Sequence, residues 1–149
     1  MLVSERLVEL GIELPEVVPP VAAYVPARVI GNTVRTSGQL PMRAGELIAT
    51  GRLGVVSVED GYAAARQCAL NAVAAAAAVA GGVDKLGGVL KVTGFVASEP
   101  DFYAQPAVVN GASEILGEIF GDQHIRSAVG VAALPLNASV EVEVEFALV

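Results

Sequence analysis

The stretch RSAVGVAALPLNASVEVEVEFALV, residues 126–149, decides the fold, because its apolar residues recur at every second position. Val140, Val142, Val144 and Phe146 fall on one side of an extended chain and Glu141, Glu143 and Glu145 on the other, the pattern of a half-buried strand. Just upstream, Arg126, Ala128, Gly130, Ala132 and Leu134 share one side and Ser127, Val129, Val131 and Ala133 the other. The intervening PLNA, residues 135–138, is expected to turn the chain back as a hairpin. That pairing sets Leu134 opposite Ser139 and Glu141 near Ala132, leaving Arg126 about 20 Å from Glu141 at about 3.3 Å per residue. Arg126 and Glu141 of one chain then cannot share a small site; if both act, they meet across a subunit boundary.

Working outward, DFYAQPAVVNGASEILGEIF predicts a helix capped by Asp101, with Pro106 in its first turn and Val109, Ala112, Leu116 and Ile119 along one stripe. Before it, Val89–Ala97 reads as a strand. Glu59 and Asp60 open a long helix that runs to Gly81-Gly82, placing negative charge at the positive end of the helix dipole. On that helix Leu70, Val73, Ala77 and Ala80 share a face with Tyr62, Gln67 and Asn71 form a narrow polar stripe, and most of the rest is Ala. Val21–Leu40 predicts two antiparallel strands about the turn-like Gly31-Asn32, followed by a polar, Gly-punctuated connection over residues 41–54. Ser4–Leu10 predicts a short amphipathic helix, and Pro15, Pro19 and Pro20 hold the next residues extended, so residues 1–20 form an N-terminal extension. The order is β-β-α-β-α-β-β: an α+β fold with two helices on one face of a mixed sheet.

Residues 1–149 have the size of a single domain, which removes roughly 70% of its unfolded surface from water. Sixteen acidic residues against nine basic ones give a net charge of −7, and no basic run exists to neutralise phosphates, which argues against nucleic acid as a partner. The chain is 54% hydrophobic but only 5% aromatic, with no Trp, so Ala and Val dominate. Such a core packs backbones close together or gains burial by association with other copies. The lone Cys68 excludes an internal disulfide and a zinc site of the usual spacing. Glu5, Arg6 and Glu9 interrupt the N-terminal apolar residues, and Arg66, Gln67 and Asn71 interrupt Ala63–Ala80, so the expectation is a cytoplasmic protein without membrane association.

GxSxG, P-loop and HExxH motifs are absent, and one His with one Cys makes no metal cluster. The four Phe are too scattered for a base-stacking platform and belong to the core. Small and polar residues at strand ends remain. Arg126 projects over a floor of Ala128 and Gly130, a shape suited to gripping a small carboxylate through two parallel hydrogen bonds. The alternative is an arginine paired with a surface glutamate. His124 reads as a solvated strand-entry residue, and the glutamate row as a solvated sheet face unless water is excluded from it.

NTVRTSGQLP, ARQCALNAV, the Asp101-Phe102 step, RSAVGVAALP and VEVEVE occur in this order. In that order and spacing the chain, from about Pro20 to its end, resembles the reactive intermediate deaminases, also called Rid, YjgF-like or L-PSP proteins. The resemblance implies a chorismate-mutase-like subunit assembled as a homotrimer with clefts between neighbours. It implies hydrolysis of small enamine or imine intermediates, such as 2-aminoacrylate, to 2-keto acids and ammonia, without cofactor or metal. Arg126 then matches the clamp for the substrate carboxylate, and Glu141 the acidic residue that activates water. Tyr24 matches a tyrosine entering from the neighbouring subunit, Ser37 and Gly38 a pocket-lining turn, and Asn110 a cleft asparagine on the second helix.

The chain departs from the archetypal members at Ala128 and Gly130, where they carry Cys and Glu; the backbone N–H of Ala128 remains available to a carboxylate. The N-terminal SERLVELGIELP and the ATGRLG loop resemble a divergent YjgF-like subgroup. Three other readings stand beside the deaminase: a non-catalytic trimer that binds a small carboxylate metabolite, a regulatory scaffold, and an endoribonuclease, which the net charge of −7 disfavours.

Overall fold

A computed structural model describes residues 1–20, 22–121 and 123–149. The elements are α1 (Val3–Leu10), β1 (Ala27–Ile30), β2 (Thr33–Thr36), β3 (Met42–Arg43), β4 (Glu46–Leu47), α2 (Val58–Ala80), β5 (Leu86–Ala97), α3 (Gln105–Phe120), β6 (Ile125–Val131) and β7 (Val140–Leu148). Five strands form one mixed sheet in the order β1-β2-β7-β5-β6, and β3 and β4 form a separate small hairpin inside the expected polar connection. The expected β1–β2 hairpin forms around Gly31-Asn32, although β1 begins only at Ala27. Val21, the expected start of that strand, lies outside the described residues.

The expected hairpin between β6 and β7 does not form. β5 lies between them, parallel to β6 and antiparallel to β7. Period-two alternation fixes which side of a sheet a residue faces, but not which strand lies alongside it. The crossover through α3 returns β6 parallel to β5, as a strand–helix–strand unit does. The chain then passes the end of β5 through Pro135–Asn137, where Leu136 and Asn137 take φ of 58° and 61°, and descends as β7 on the other side. Glu141 therefore pairs with Phe95 rather than Ala132.

Val34, Val92, Val96, Val140, Val142, Val144 and Phe146 are buried on the face covered by α2 and α3, and each such side chain contributes roughly 1.5–3 kcal/mol relative to exposure. Small residues set the layer spacing. A Cβ at Gly94 would collide with Val109 of α3, and one at Gly111 would enter the Tyr62 backbone of α2. Ala64, Ala65, Ala69, Ala72 and Ala76 are buried along α2, the close packing that is one of the two arrangements open to such a composition. This helix is long and apolar enough to cross a membrane by length and composition alone, but it is a core helix, 67% buried over its most apolar window.

Ser57 caps α2 by accepting from the Asp60 N–H at 3.1 Å, with Glu59 and Asp60 in the first turn. The expected Asp101 cap of α3 is not made. The helix starts later, at Gln105, with Ala104 in the capping position and no side-chain cap, and Pro106 sits in its first turn. Cys68 is wholly enclosed, its thiol directed at the Val140 carbonyl at 3.7 Å, and burial holds it protonated well above the ordinary thiol range. The third helix, α1, docks at the edge of the helical layer. The Asp84 carboxylate accepts from the Ser4 N–H (2.8 Å) and hydroxyl (2.7 Å), which lowers its pKa, and the Arg6 Nε donates to the Glu118 carbonyl at 2.9 Å.

Candidate functional site

Four of the seven candidate residues come together. Tyr24, Ser37, Gly38 and Glu141 line one pocket of ≈ 50 Å³, with Val18, Gln39, Leu40, Met42 and Pro135. β7 presents Glu141 on the face away from the helices. The backbones of Gln39 and Val142 exchange two hydrogen bonds, 2.8 and 3.0 Å, which draws the Ser37–Gly38 turn against Glu141. A Cβ on Gly38 would lie 2.7 Å from the Glu141 carboxyl carbon, so a larger residue there would force that carboxyl to move. Gln39 is buried and its amide donates to the Ser37 hydroxyl at 3.3 Å.

The three glutamates of β7 occupy different surroundings. Glu145 faces Lys91 across the ladder and lies 4.0 Å from Arg35. Glu143 pairs with Thr93, and Glu141 with apolar Phe95. Glu141 is half-buried; loss of water, and secondarily the charge on Glu143, push its carboxyl above the ordinary 4.5. A carboxyl displaced in that direction is a better proton acceptor when ionised.

The remaining three candidates lie on the helix side of the sheet. Arg126 pairs with Val92 and Ala128 with Gly94, on the face that α3 covers. The Arg126 guanidinium donates to the Ser113 hydroxyl (3.2 Å) and the Pro106 carbonyl (3.3 Å). Asn110 lies on the same stripe of α3, one turn from each of those residues. His124 also reaches the Ser113 hydroxyl, at 2.9 Å, so it is a structural neighbour of Arg126 rather than a solvated entry residue. No carboxylate lies within ion-pair distance of Arg126 among the described residues, and its half-buried guanidinium is held by neutral acceptors alone.

Gly130 marks a groove that the sequence did not disclose. A Cβ there would meet the Gln105 amide nitrogen at 2.7 Å, and that amide donates to the Phe102 carbonyl (2.8 Å) and the Ser98 hydroxyl (3.2 Å). Where the archetypes carry a glutamate, this chain therefore presents a neutral amide from α3. The groove, ≈ 360 Å³, also touches Arg52 and Glu99. Among the described residues no group of three or more His, Cys, Asp or Glu side chains is placed to hold a metal ion.

The family model described as "YjgF/chorismate mutase-like, putative endoribonuclease" matches residues 4–147. The chain belongs to the YjgF family. Protein TCP17 of Trypanosoma cruzi is 42% identical over 145 residues, which are 95% of this chain and 91% of that protein. A 2-iminobutanoate/2-iminopropanoate deaminase of Dermatophagoides farinae is 33% identical over 133 residues, 89% of this chain and 91% of that enzyme. The crystal structure of an Agrobacterium tumefaciens protein of unknown function superposes with a TM-score of 0.87 at 42% identity, covering 99% of this chain and 94% of that one. The YjgF fold expected from SGQLP and RSAVGVAALP is thus the fold of this chain, and YjgF relatives of similar sequence include an imine deaminase.

Proposed function

We propose that this YjgF-family protein hydrolyses small 2-imino acids to 2-keto acids and ammonia, in clefts completed by two subunits of a homotrimer. The observation that carries the proposal is the Glu141 carboxyl, half-buried against Gly38 in a pocket shared with Tyr24 and Ser37 and raised in proton affinity. The imine deaminase among the relatives supports the chemistry. Arg126 faces the other side of the sheet, on the unpaired edge strand β6, so a neighbouring copy is needed to bring an Arg126 to a Glu141. Ile30, Ile125 and Val129 stand exposed on the uncovered face, apolar surface that such a neighbour would bury.

Arg126 holds the substrate carboxylate, and the Ala128 N–H and Asn110 offer further hydrogen bonds. Glu141 takes a proton from water as the water oxygen bonds to the iminium carbon, whose π electrons move to nitrogen. Proton transfer to the amine and collapse of the carbinolamine then break the C–N bond, releasing ammonia and the 2-keto acid. Imines are reactive enough that fixing water and substrate in place is the main demand on the protein. No step requires a cofactor or metal.

A second reading is favoured by Ala128 and Gly130: neither position carries an ionisable side chain, as a non-catalytic binder of a small carboxylate metabolite would allow. Release of ammonia from enzymatically generated imines separates the two. Under the proposal Glu141→Gln and Arg126→Ala each lower the rate by about 10²-fold or more; a binder shows no acceleration in any variant, and Glu141→Gln leaves its affinity intact.

A further inference from the structure

A cavity of ≈ 750 Å³ lies beside the Glu141 pocket, between the N-terminal extension, the β3–β4 hairpin and α2. Val18 and Met42 line both spaces, so the two are neighbours with these side chains at their boundary. Leu14, Pro15 and Leu70 supply apolar walls, while the charged lining residues Glu13, Glu16 and Arg43 are exposed.

One buried polar group opens into this chamber with its acceptor unused. Asn71 donates through Nδ2 to the Leu40 (3.0 Å) and Met42 (2.9 Å) carbonyls, which turns its Oδ1 toward Gln67. Gln67 donates to that oxygen through Nε2 at 3.0 Å. The network fixes both amide orientations and leaves the Gln67 carbonyl oxygen without a protein donor among the described residues, on a side chain only 7% exposed. That oxygen is open to water in the chamber, and a ligand that displaces the water loses affinity unless it brings a donor of its own.

We propose, building on the deaminase reading, that the chamber receives the substrate's side chain. The substrate class is then a 2-imino acid with a long apolar side chain that ends in a hydrogen-bond donor, which meets the Gln67 carbonyl. One chain by itself supplies only ≈ 50 Å³ at Glu141, little more than one water at about 30 Å³ of liquid. The ≈ 750 Å³ beside it falls within the range of small-molecule sites. An apolar wall with a single placed acceptor selects for chain length and for a terminal hydroxyl or amide N–H. The N-terminal extension thereby becomes one wall of the specificity pocket.

The test compares imines generated in situ by an amino-acid oxidase from 2-aminobutanoate, norleucine and 6-hydroxynorleucine, following ammonia release. Each buried methylene raises kcat/KM about fourfold, so the norleucine imine should exceed the 2-aminobutanoate imine by about fifteenfold, with the hydroxylated chain better still. Leu14→Trp, which fills the chamber, brings the six-to-four-carbon ratio to about one, and Gln67→Met removes the preference for the hydroxyl; either variant alone suffices if the other does not fold. Turnover of the four-carbon imine without a gain from the longer chains, or a ratio that Leu14→Trp leaves unchanged, overturns the chamber assignment and spares the deaminase reading. No acceleration with any imine overturns both.

Discussion

Arg126 and Glu141 project from opposite faces of one sheet, with β5 between their strands: Arg126 pairs with Val92, which faces Val144, and Glu141 pairs with Phe95, which faces Val129. Three residues along the strands and two strands across separate their backbones by about 14 Å, and the sheet itself bars any rotamer from closing that gap. A site using both residues draws one from each of two chains. When Arg126→Ala and Glu141→Gln subunits are mixed and reassembled, inactive parents should therefore give active hybrids, recovering about a quarter of wild-type activity for random mixing in a cyclic trimer. Rates that stay at the level of the parents, with mass spectrometry showing that exchange took place, would remove the shared site.

Gly38 makes way for the Glu141 carboxyl, and a methyl group at that position has no vacant space to enter. Gly38→Ala is expected to displace the carboxyl, the far end of a flexible side chain, at a small cost in stability of about 1 kcal/mol or less. Thermal melts measure the cost. Ammonia release should fall more steeply than stability, because the displaced group is the proposed base.

The raised Glu141 pKa sets a pH dependence of known sign. Between the ordinary 4.5 and the raised native value, the native state keeps a proton that the unfolded chain has released, so stability falls as pH rises through that window and levels off above it. Glu141→Gln lacks this ionisation. It should melt above wild type at pH 7 and close to it at pH 3, and a pH series of melts that runs parallel for the two proteins would contradict the assignment. Activity runs in the opposite direction, rising as the carboxyl ionises.

Ala44 occupies the first position of the β3–β4 turn at φ 53°, followed by Gly45 at φ 82°. An L-residue there carries about 1–2 kcal/mol of strain, which glycine relieves while adding roughly 0.4–1 kcal/mol of unfolded-state entropy. The strain is the larger quantity. Ala44→Gly should raise the urea midpoint by a gain of about 0.5–1 kcal/mol.

The sequence made the sides of strands visible and hid their neighbours. β7 could be read because α2 and α3 cover one of its faces, and burial on one side writes a two-residue period. Nothing in RSAVGV distinguishes pairing with β7 from pairing with β5, because a parallel partner reached through a helix leaves the same alternation. Ser57 and Asp101 are both cap-forming residue types, and only the start of each helix decides which of them caps. The closeness of Gly38 to Glu141 depends on the Gln39–Val142 bridge, a contact between distant segments with no local signal. The chamber was hidden because its outer wall looks like a Pro-rich spacer, although Gln67 and Asn71 had already stood out as polar residues on an apolar helix.

Cys68 gives the molecule an internal clock. Its sulfur lies between α2 and the sheet, enclosed and held as the unreactive thiol, so a thiol reagent can modify it only after the helix lifts from β7. The labelling rate thus counts openings of that layer without any introduced probe. If subunit association clamps the sheet, diluting the protein until it dissociates should quicken the reaction, and a ligand that bridges two chains should slow it.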